Sequence, residues 1–124
     1  MEFQKDNSFF SGRLKSVGFA VKGAFKLITT EHSVMVQSSL VVVMIIAGFV
    51  FDISRMEWML QILSFGLVLG IESINTAVEK IADFIHPEFH DRIGFIKDIA
   101  AGAVMFAATA AIAIGLLIYV PKLL

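Results

Sequence analysis

The chain of 124 residues has no cysteine, two prolines, one tryptophan and one tyrosine. The absence of cysteine excludes disulfide bonds, thiolate nucleophiles and thiolate metal sites. Ten basic residues nearly balance eleven acidic ones, so the net charge of −1 indicates no nucleic-acid partner. Gly18 and Gly23 have the glycine spacing of a P-loop, but Ala24 stands where the lysine belongs. A P-loop is therefore excluded as well.

Charged residues are almost missing from three long apolar runs. Residues 34–51 and 100–120 contain none, and residues 58–78 contain only Glu72. Each run is long enough to cross a bilayer. Hydrophobic residues make up 57% of the chain and the mean hydropathy is +0.83. The sequence therefore predicts an all-α membrane protein, a single domain of residues 1–124 with three transmembrane helices.

The segment before these runs has a different pattern. Over residues 11–30, apolar side chains such as Leu14 and Val17 share one helical face, and Lys15 and Lys22 fall on another. This pattern is typical of an amphipathic helix that lies on an anionic membrane surface. We expect a surface helix here, followed by the three spans.

The loop charges predict the orientation. Five basic residues precede the first span, one lies between spans one and two, three lie between spans two and three, and one follows span three. The positive-inside rule then places the N-terminus and residues 80–99 in the cytoplasm. Trp58 and Tyr119 both fall at the opposite interface, where aromatic belts occur.

Local signals predict the helix ends and one helix contact. Residues 54–57 have the S-x-x-E spacing of a capping box just before the second span. Pro87 is expected to end the second helix and Pro121 the third. Gly66 and Gly70 form a G-x-x-x-G pair, which predicts close packing of the second span against another helix.

Polar residues at the cytoplasmic end of the second span carry the functional signal. Because a helix turns about 100° per residue, Glu72, Asn75, Thr76 and Glu79 share one stripe. Carboxylate and amide oxygens are the ligands that Mg²⁺ prefers. We expect Glu31, Glu72 and Glu79 to converge at this face, two of them holding Mg²⁺ and the third acting as a general base. The alternative is that these carboxylates only bond neighbouring helices and fix their packing.

Three segments carry a specific pattern: E-S-I-N-T-A-V-E at residues 72–79, E-F-H at 88–90 and K-D-I-A-A-G-A-V at 97–104. Together they resemble the prokaryotic diacylglycerol kinase family, whose members are small three-span membrane enzymes. The resemblance implies a lipid kinase that transfers the γ-phosphate of Mg²⁺-bound ATP to a lipid alcohol. It also implies a homotrimer with sites composed across subunits, in the bacterial inner membrane, with the active site in the cytoplasm.

The resemblance also implies roles for individual residues. Glu72 would be the catalytic base and would bind the lipid substrate together with Ala101, and Glu31 and Glu79 would hold the metal. The residues implied to bind the nucleotide are Arg13, Phe19, Glu31, Asn75, Glu79, Glu88, His90, Lys97 and Asp98.

Some positions depart from the pattern of the diacylglycerol kinases. Phe19 stands where a tyrosine is expected, Gln37 replaces an acidic residue and Ala101 replaces a serine. Gly12 stands at an expected arginine, with Arg13 next to it. The A-A-G-A-V run is closer to the undecaprenol kinases of the same family. Diacylglycerol, giving phosphatidic acid, is the first expected acceptor, and undecaprenol is the alternative.

Two functions from other classes fit fewer of the residues. A small ion-coupled transporter would use Glu72 and Glu79 as an ion relay, but it needs polar groups through the whole membrane depth. The outer halves of the second and third spans have almost no ionisable residues. A non-catalytic scaffold would leave the carboxylate of Glu72 in the membrane unexplained.

Overall fold

The computed structural model describes residues 9–124, which form four helices. Helix α1 spans Phe9–Thr30, α2 His32–Val50, α3 Arg55–Ile85 and α4 Asp91–Leu123. The last three are each long and apolar enough to cross a membrane. The predicted all-α membrane fold, with one N-terminal helix before three spans, is confirmed. Residues 1–8 lie outside the described part of the chain.

Helix α1 buries none of its residues and makes its main contacts with α2. Its apolar side chains Leu14, Val17 and Val21 are exposed. An amphipathic helix with an uncovered apolar face suits a position in the headgroup region of a bilayer. The predicted N-terminal helix is confirmed, and its position on a membrane surface stays a prediction.

Local sequence signals explain where α3 begins and ends. Ser54 Oγ accepts a hydrogen bond from the Glu57 backbone N–H at 3.2 Å, and Glu57 Oε1 accepts one from the Ser54 N–H at 2.9 Å. The predicted capping box is therefore confirmed. Helix α3 ends at Ile85, two residues before Pro87, because a proline disfavours the helical conformation of the residue before it.

The prediction that Pro121 ends the last helix is wrong, because α4 continues to Leu123 with Pro121 inside its final turn. Proline has a φ angle close to that of a helix and removes a single backbone donor. The missing N–H leaves the carbonyl of Leu117, four residues back, without its helical partner, so one backbone hydrogen bond is lost and only two helical residues follow the proline.

Helices α3 and α4 are longer than a membrane requires. They have 31 and 33 residues, which corresponds to roughly 46 and 50 Å at 1.5 Å per residue. The hydrocarbon core of a bilayer is only about 30 Å thick. If Trp58 lies at one interface, as predicted, the part of α3 after about residue 78 and the first turns of α4 would extend into water. The two helices form the most extensive helix pair of the chain.

The bundle is tied together at the end formed by the α2–α3 loop, residues 51–54. Ile53, Ile118 and Tyr119 are buried there. Tyr119 Oη donates a hydrogen bond to Gln61 Oε1 at 2.5 Å, and Gln61 Nε2 donates one to the Met44 carbonyl at 3.2 Å. This network links α2, α3 and α4. The polar side chain of Gln61 is thereby satisfied although only 3% of it is exposed.

The glycines of the G-x-x-x-G pair do not mediate close packing within the chain. No atom outside the local helix lies within 4 Å of a Cβ built on Gly66 or Gly70, so that prediction is wrong for the single chain. The close contact occurs at Gly48 instead. A Cβ there would lie 2.5 Å from Trp58 Cη2 and 3.2 Å from Ile53 Cδ1. Gly48 therefore allows the indole of Trp58 to pack against α2.

Gly48→Ala is expected to lower the free energy of unfolding by about 1–3 kcal/mol, because the added methyl group overlaps the Trp58 ring. The measurement is thermal or denaturant unfolding in detergent micelles. Gly115→Ala is the matched control, because a Cβ at Gly115 meets nothing within 4 Å. It should be neutral or stabilising, since alanine favours helices. Equal stabilities for the two variants would contradict the close contact at Gly48.

Candidate functional site

One face of α3 carries buried polar side chains inside the membrane. Glu72, Asn75 and Thr76 are 7%, 8% and 6% exposed, which confirms the predicted stripe for these three residues. Glu79, one turn further on, is more accessible. The stripe therefore begins inside the bundle at Glu72 and reaches the surface at Glu79.

The carboxylate of Glu72 is held by a residue of α2. Gln37 Nε2 donates a hydrogen bond to Glu72 Oε2 at 3.2 Å. The sequence marked Gln37 only as a departure from a family pattern and did not place it in the site. The available signal was its polarity within the first span, but α2 has other polar residues nearby, such as Ser38 and Ser39.

Unpaired oxygen atoms lie on the same two helices as this pair. Gln37 Oε1, Ser38 Oγ and Asn75 Oδ1 are buried, and none has a hydrogen-bond partner within residues 9–124. Leaving a buried polar atom unpaired costs about 1–3 kcal/mol. The part of α2 and α3 around Glu72 thus has hydrogen-bonding capacity that the described chain does not use. A hydroxyl or phosphate group could use it.

Glu31 lies next to the accessible end of the stripe. It is the N-cap residue of α2, and its Oε1 lies 3.1 Å from Nζ of Lys80. Because Lys80 follows Glu79 in α3, the ion pair brings Glu31 to the turn of α3 that carries Glu79. Two of the three acidic residues that the sequence singled out are thus placed at the same end of α3.

Glu31, Glu72 and Glu79 do not form one cluster within residues 9–124, and their roles as metal ligands and base stay predictions. No group of three or more histidine, aspartate or glutamate side chains that could hold a metal ion occurs among residues 9–124. The geometry of α3 explains this result. Glu72 and Glu79 are seven residues apart, which is about 10 Å along a helix. Glu31 is drawn to Lys80, at the level of Glu79 rather than that of Glu72.

A pocket of about 250 Å³ opens between the end of α3 and the start of α4. It brings together three residues that were expected to bind a nucleotide, Glu88, His90 and Lys97. Two of its lining residues, Asp83 and His86, were not predicted. Asp83 Oδ1 accepts a hydrogen bond from Lys97 Nζ at 2.6 Å, which links α3 to α4 across the pocket.

Besides Glu31 and the three predicted site residues of the α3 stripe, four more predicted site residues do not line this pocket, namely Arg13, Phe19, Asp98 and Ala101. Arg13 and Phe19 lie on α1, where the guanidinium group of Arg13 stacks over the Phe9 ring at 5.0 Å. Asp98 and Ala101 are exposed on α4. In one chain, α1 therefore contributes nothing to the pocket at the α3–α4 turn.

Comparison with known proteins shows similarity over nearly the whole chain. The family model for prokaryotic diacylglycerol kinase matches residues 18–119. An undecaprenol kinase of Bacillus subtilis is 36% identical over 117 residues, covering 94% of this chain and 92% of that relative. A diacylglycerol kinase of Synechocystis sp. is 30% identical, covering 90% of this chain and 64% of the relative. A diacylglycerol kinase of Escherichia coli is 27% identical, covering 83% and 84%.

Gln37→Leu is expected to lower the free energy of unfolding by about 1–3 kcal/mol, because it removes the hydrogen bond to the buried carboxylate of Glu72. The double variant Gln37→Leu, Glu72→Leu should lose less free energy of unfolding than Gln37→Leu alone, since it leaves no buried polar partner unpaired. Unfolding in detergent micelles measures both. Ser39→Leu is the control on an exposed position of α2. If Gln37→Leu has the same effect in the wild-type background and in the Glu72→Leu background, the hydrogen bond contributes nothing.

Proposed function

Because the chain belongs to the prokaryotic diacylglycerol kinase family and is a membrane lipid kinase, we propose that it phosphorylates a lipid alcohol at the cytoplasmic face of a bacterial inner membrane. The observation that carries the proposal is the buried carboxylate of Glu72. It lies in a membrane span, bonded to Gln37 and close along α3 to the unpaired Oδ1 of Asn75.

Glu72 is the proposed catalytic base. A lipid hydroxyl lies near the membrane boundary, and a carboxylate a few turns inside a span can reach it while the acyl or prenyl chains stay in the bilayer. Gln37 donates to one carboxylate oxygen and thereby orients the group. The base accepts the hydroxyl proton as the oxygen attacks the γ-phosphate, which is the general pattern of base-assisted phosphoryl transfer.

Asn75 and Gln37 are proposed to position the reacting groups. Each has a buried amide oxygen without a partner in the described part of the chain. An amide oxygen accepts a hydrogen bond from a hydroxyl group, so these two atoms suit the headgroup of an alcohol. Pairing them on substrate binding also removes the cost of leaving them unpaired.

The acidic residues at the end of α3 suit Mg²⁺ that arrives with a nucleotide. Mg²⁺ in kinases is held by one or two carboxylates, with phosphate oxygens and water completing its shell, so a cluster of three is not needed. Glu31 and Glu79 would hold the ion, because the ion pair with Lys80 keeps Glu31 at the turn of Glu79. The ion would supply neutralisation of the phosphate charge.

The orientation is proposed from the basic residues in the loops, and the assembly from the absence of α1 residues in the pocket of a single chain. The basic loops favour a cytoplasmic α3–α4 turn, which places the pocket where ATP is present. Arg13 and Phe19 lie on α1 away from the pocket, so they reach a nucleotide only if a neighbouring copy supplies them. We propose a homotrimer in which sites are completed across subunits.

The proposed acceptor is undecaprenol or diacylglycerol. Relatives of both names match the chain. Identity is 36% to the undecaprenol kinase, against 30% and 27% to the two diacylglycerol kinases. We place undecaprenol first on this ground, which reverses the order expected from the sequence.

Purified protein in vesicles is expected to transfer labelled phosphate from ATP to undecaprenol, to diacylglycerol or to both. Glu72→Gln should reduce the turnover by at least about a hundredfold, because the amide cannot accept the proton. Thin-layer separation of the labelled lipids is the measurement. Glu57→Gln is the matched control at the other membrane face, since glutamine also completes a capping box.

The outcomes separate the two parts of this proposal. No labelled product from either lipid would contradict the lipid acceptors named here. Normal turnover by Glu72→Gln would remove Glu72 from the role of base while leaving the activity in place.

Glu79→Ala is expected to raise the Mg²⁺ concentration for half-maximal activity about tenfold or more, because an oxygen ligand is lost. The measurement is a Mg²⁺ titration at saturating lipid and ATP. Asp91→Ala is the control, because Asp91 is an exposed acidic residue at the same end of the bundle. An unchanged Mg²⁺ requirement in Glu79→Ala would exclude Glu79 from the metal site.

A further inference from the structure

Two histidines, His86 and His90, line the pocket at the α3–α4 turn, and the proposed function gives a role to neither of them. The rings of His86 and His90 have their centroids 5.2 Å apart at an angle of 66°. His86 is the C-cap residue of α3, and His90 is the N-cap residue of α4. The sequence pattern singled out His90 alone.

Backbone hydrogen bonds fix which nitrogen of each neutral ring carries the proton. His86 Nδ1 lies 2.7 Å from the carbonyl oxygen of Glu88, and a carbonyl can only accept, so this nitrogen is protonated. The Arg92 backbone N–H donates to His90 Nδ1 at 3.1 Å, so that nitrogen is unprotonated. In the neutral rings, His86 Nε2 is therefore an acceptor and His90 Nε2–H is a donor.

The pocket suits an uncharged aromatic group. Its charged lining residues are Asp83, Glu88 and Lys97, and the single lysine already forms an ion pair with Asp83. Two acidic groups against one basic group do not favour phosphate. The volume of 250 Å³ is below the roughly 300–1,000 Å³ of sites that enclose a whole drug-sized ligand. Phe89 also lines the pocket and is 87% exposed, which leaves its ring available for stacking.

We propose that His86 and His90 bind the base of the nucleotide and select adenine. His86 Nε2 accepts a hydrogen bond from the 6-amino group, and His90 Nε2–H donates one to ring nitrogen N1. Hypoxanthine has a carbonyl at position 6 and a hydrogen on N1, so both contacts oppose it. This inference rests on the proposed lipid kinase function and adds a specificity residue, His86.

The position of the pocket along α3 agrees with this arrangement. His86 is seven residues beyond Glu79, which is about 10 Å along the helix axis. A ribose and triphosphate chain can cover this distance, so a base beside His86 leaves the terminal phosphates at the level of Glu79 and Glu31. One nucleotide can then place its base in the pocket and its phosphates beside the proposed metal ligands.

The test compares ATP with ITP as phosphate donors in the vesicle assay, in mildly alkaline buffer. Wild-type protein should prefer ATP by about tenfold or more in kcat/KM, the order expected from one or two hydrogen bonds in a partly exposed site. His86→Asn keeps a donor at the Nδ1 position for the Glu88 carbonyl but removes the Nε2 acceptor. Its preference for ATP should fall by most of that factor.

His86→Gln is the matched variant, because its amide reaches the Nε2 position but not the Nδ1 position. It should keep the preference for ATP. His90→Asn provides a second test, because asparagine is a favoured N-cap residue and should retain the bond to the Arg92 N–H. Its preference for ATP should also fall.

The outcomes distinguish this inference from the function on which it rests. A wild-type enzyme that uses ATP and ITP equally, or an unchanged preference in His86→Asn, overturns base selection by His86 while the kinase proposal stands. If His86→Gln loses the preference for ATP, alone or together with His86→Asn, the effect comes from disruption of the α3–α4 turn rather than from the Nε2 acceptor. This result also overturns base selection by His86. No lipid phosphorylation with either nucleotide contradicts the kinase proposal itself.

Discussion

The structure depends on the placement of one carboxylate, Glu72, inside a membrane span. An ionisable side chain at this depth is costly unless it is paired or faces the interior of the bundle. Gln37 supplies the partner from α2, and this hydrogen bond joins α2 to α3 at the level of the polar stripe. The polar stripe that begins at Glu72 then follows from helical geometry, and it reaches water at Glu79. Reactive groups can thus be presented to a substrate that never leaves the lipid phase.

The two ends of the bundle differ in the way they are held together. At the α2–α3 end, Gln61 and Tyr119 form a satisfied network above a small apolar core. At the α3–α4 end, two long helices meet in a turn that carries charges, histidines and an open pocket. The apolar core thus lies at the end of the bundle where no reaction is proposed. The unpaired buried oxygen atoms lie near Glu72, where the reaction is proposed. Binding sites commonly carry such unsatisfied groups, because the ligand satisfies them.

Much of the fold could be read from the sequence, because it depends on composition and local rules. The apolar runs predicted the three spans, S-x-x-E at residues 54–57 predicted the start of α3, and helical periodicity predicted the buried side of the stripe. The contacts that depend on how helices rotate and lean were not predictable. Gln37 could not be distinguished from Ser38 or Ser39 without the rotation of α2. The glycine pair at residues 66 and 70 contacts no other helix within the described chain. Glu31 forms an ion pair with Lys80 and therefore lies near Glu79 rather than near Glu72. His86 was not assigned to the site because it matched no pattern, and the role proposed for it rests on its position in the pocket and its hydrogen bond to the Glu88 carbonyl.

The position of Trp58 also links the chemistry to the thickness of the membrane. Glu72 follows Trp58 by 14 residues, which places its carboxylate about 21 Å from that interface. In a hydrocarbon core of roughly 30 Å, the opposite boundary is then some 9 Å away. Lipids with longer acyl chains would widen that gap, because the indole anchor keeps its own side fixed. The headgroup of the acceptor would have to sink deeper to meet the carboxylate, so the rate of such an enzyme would vary with the acyl-chain length of its host bilayer.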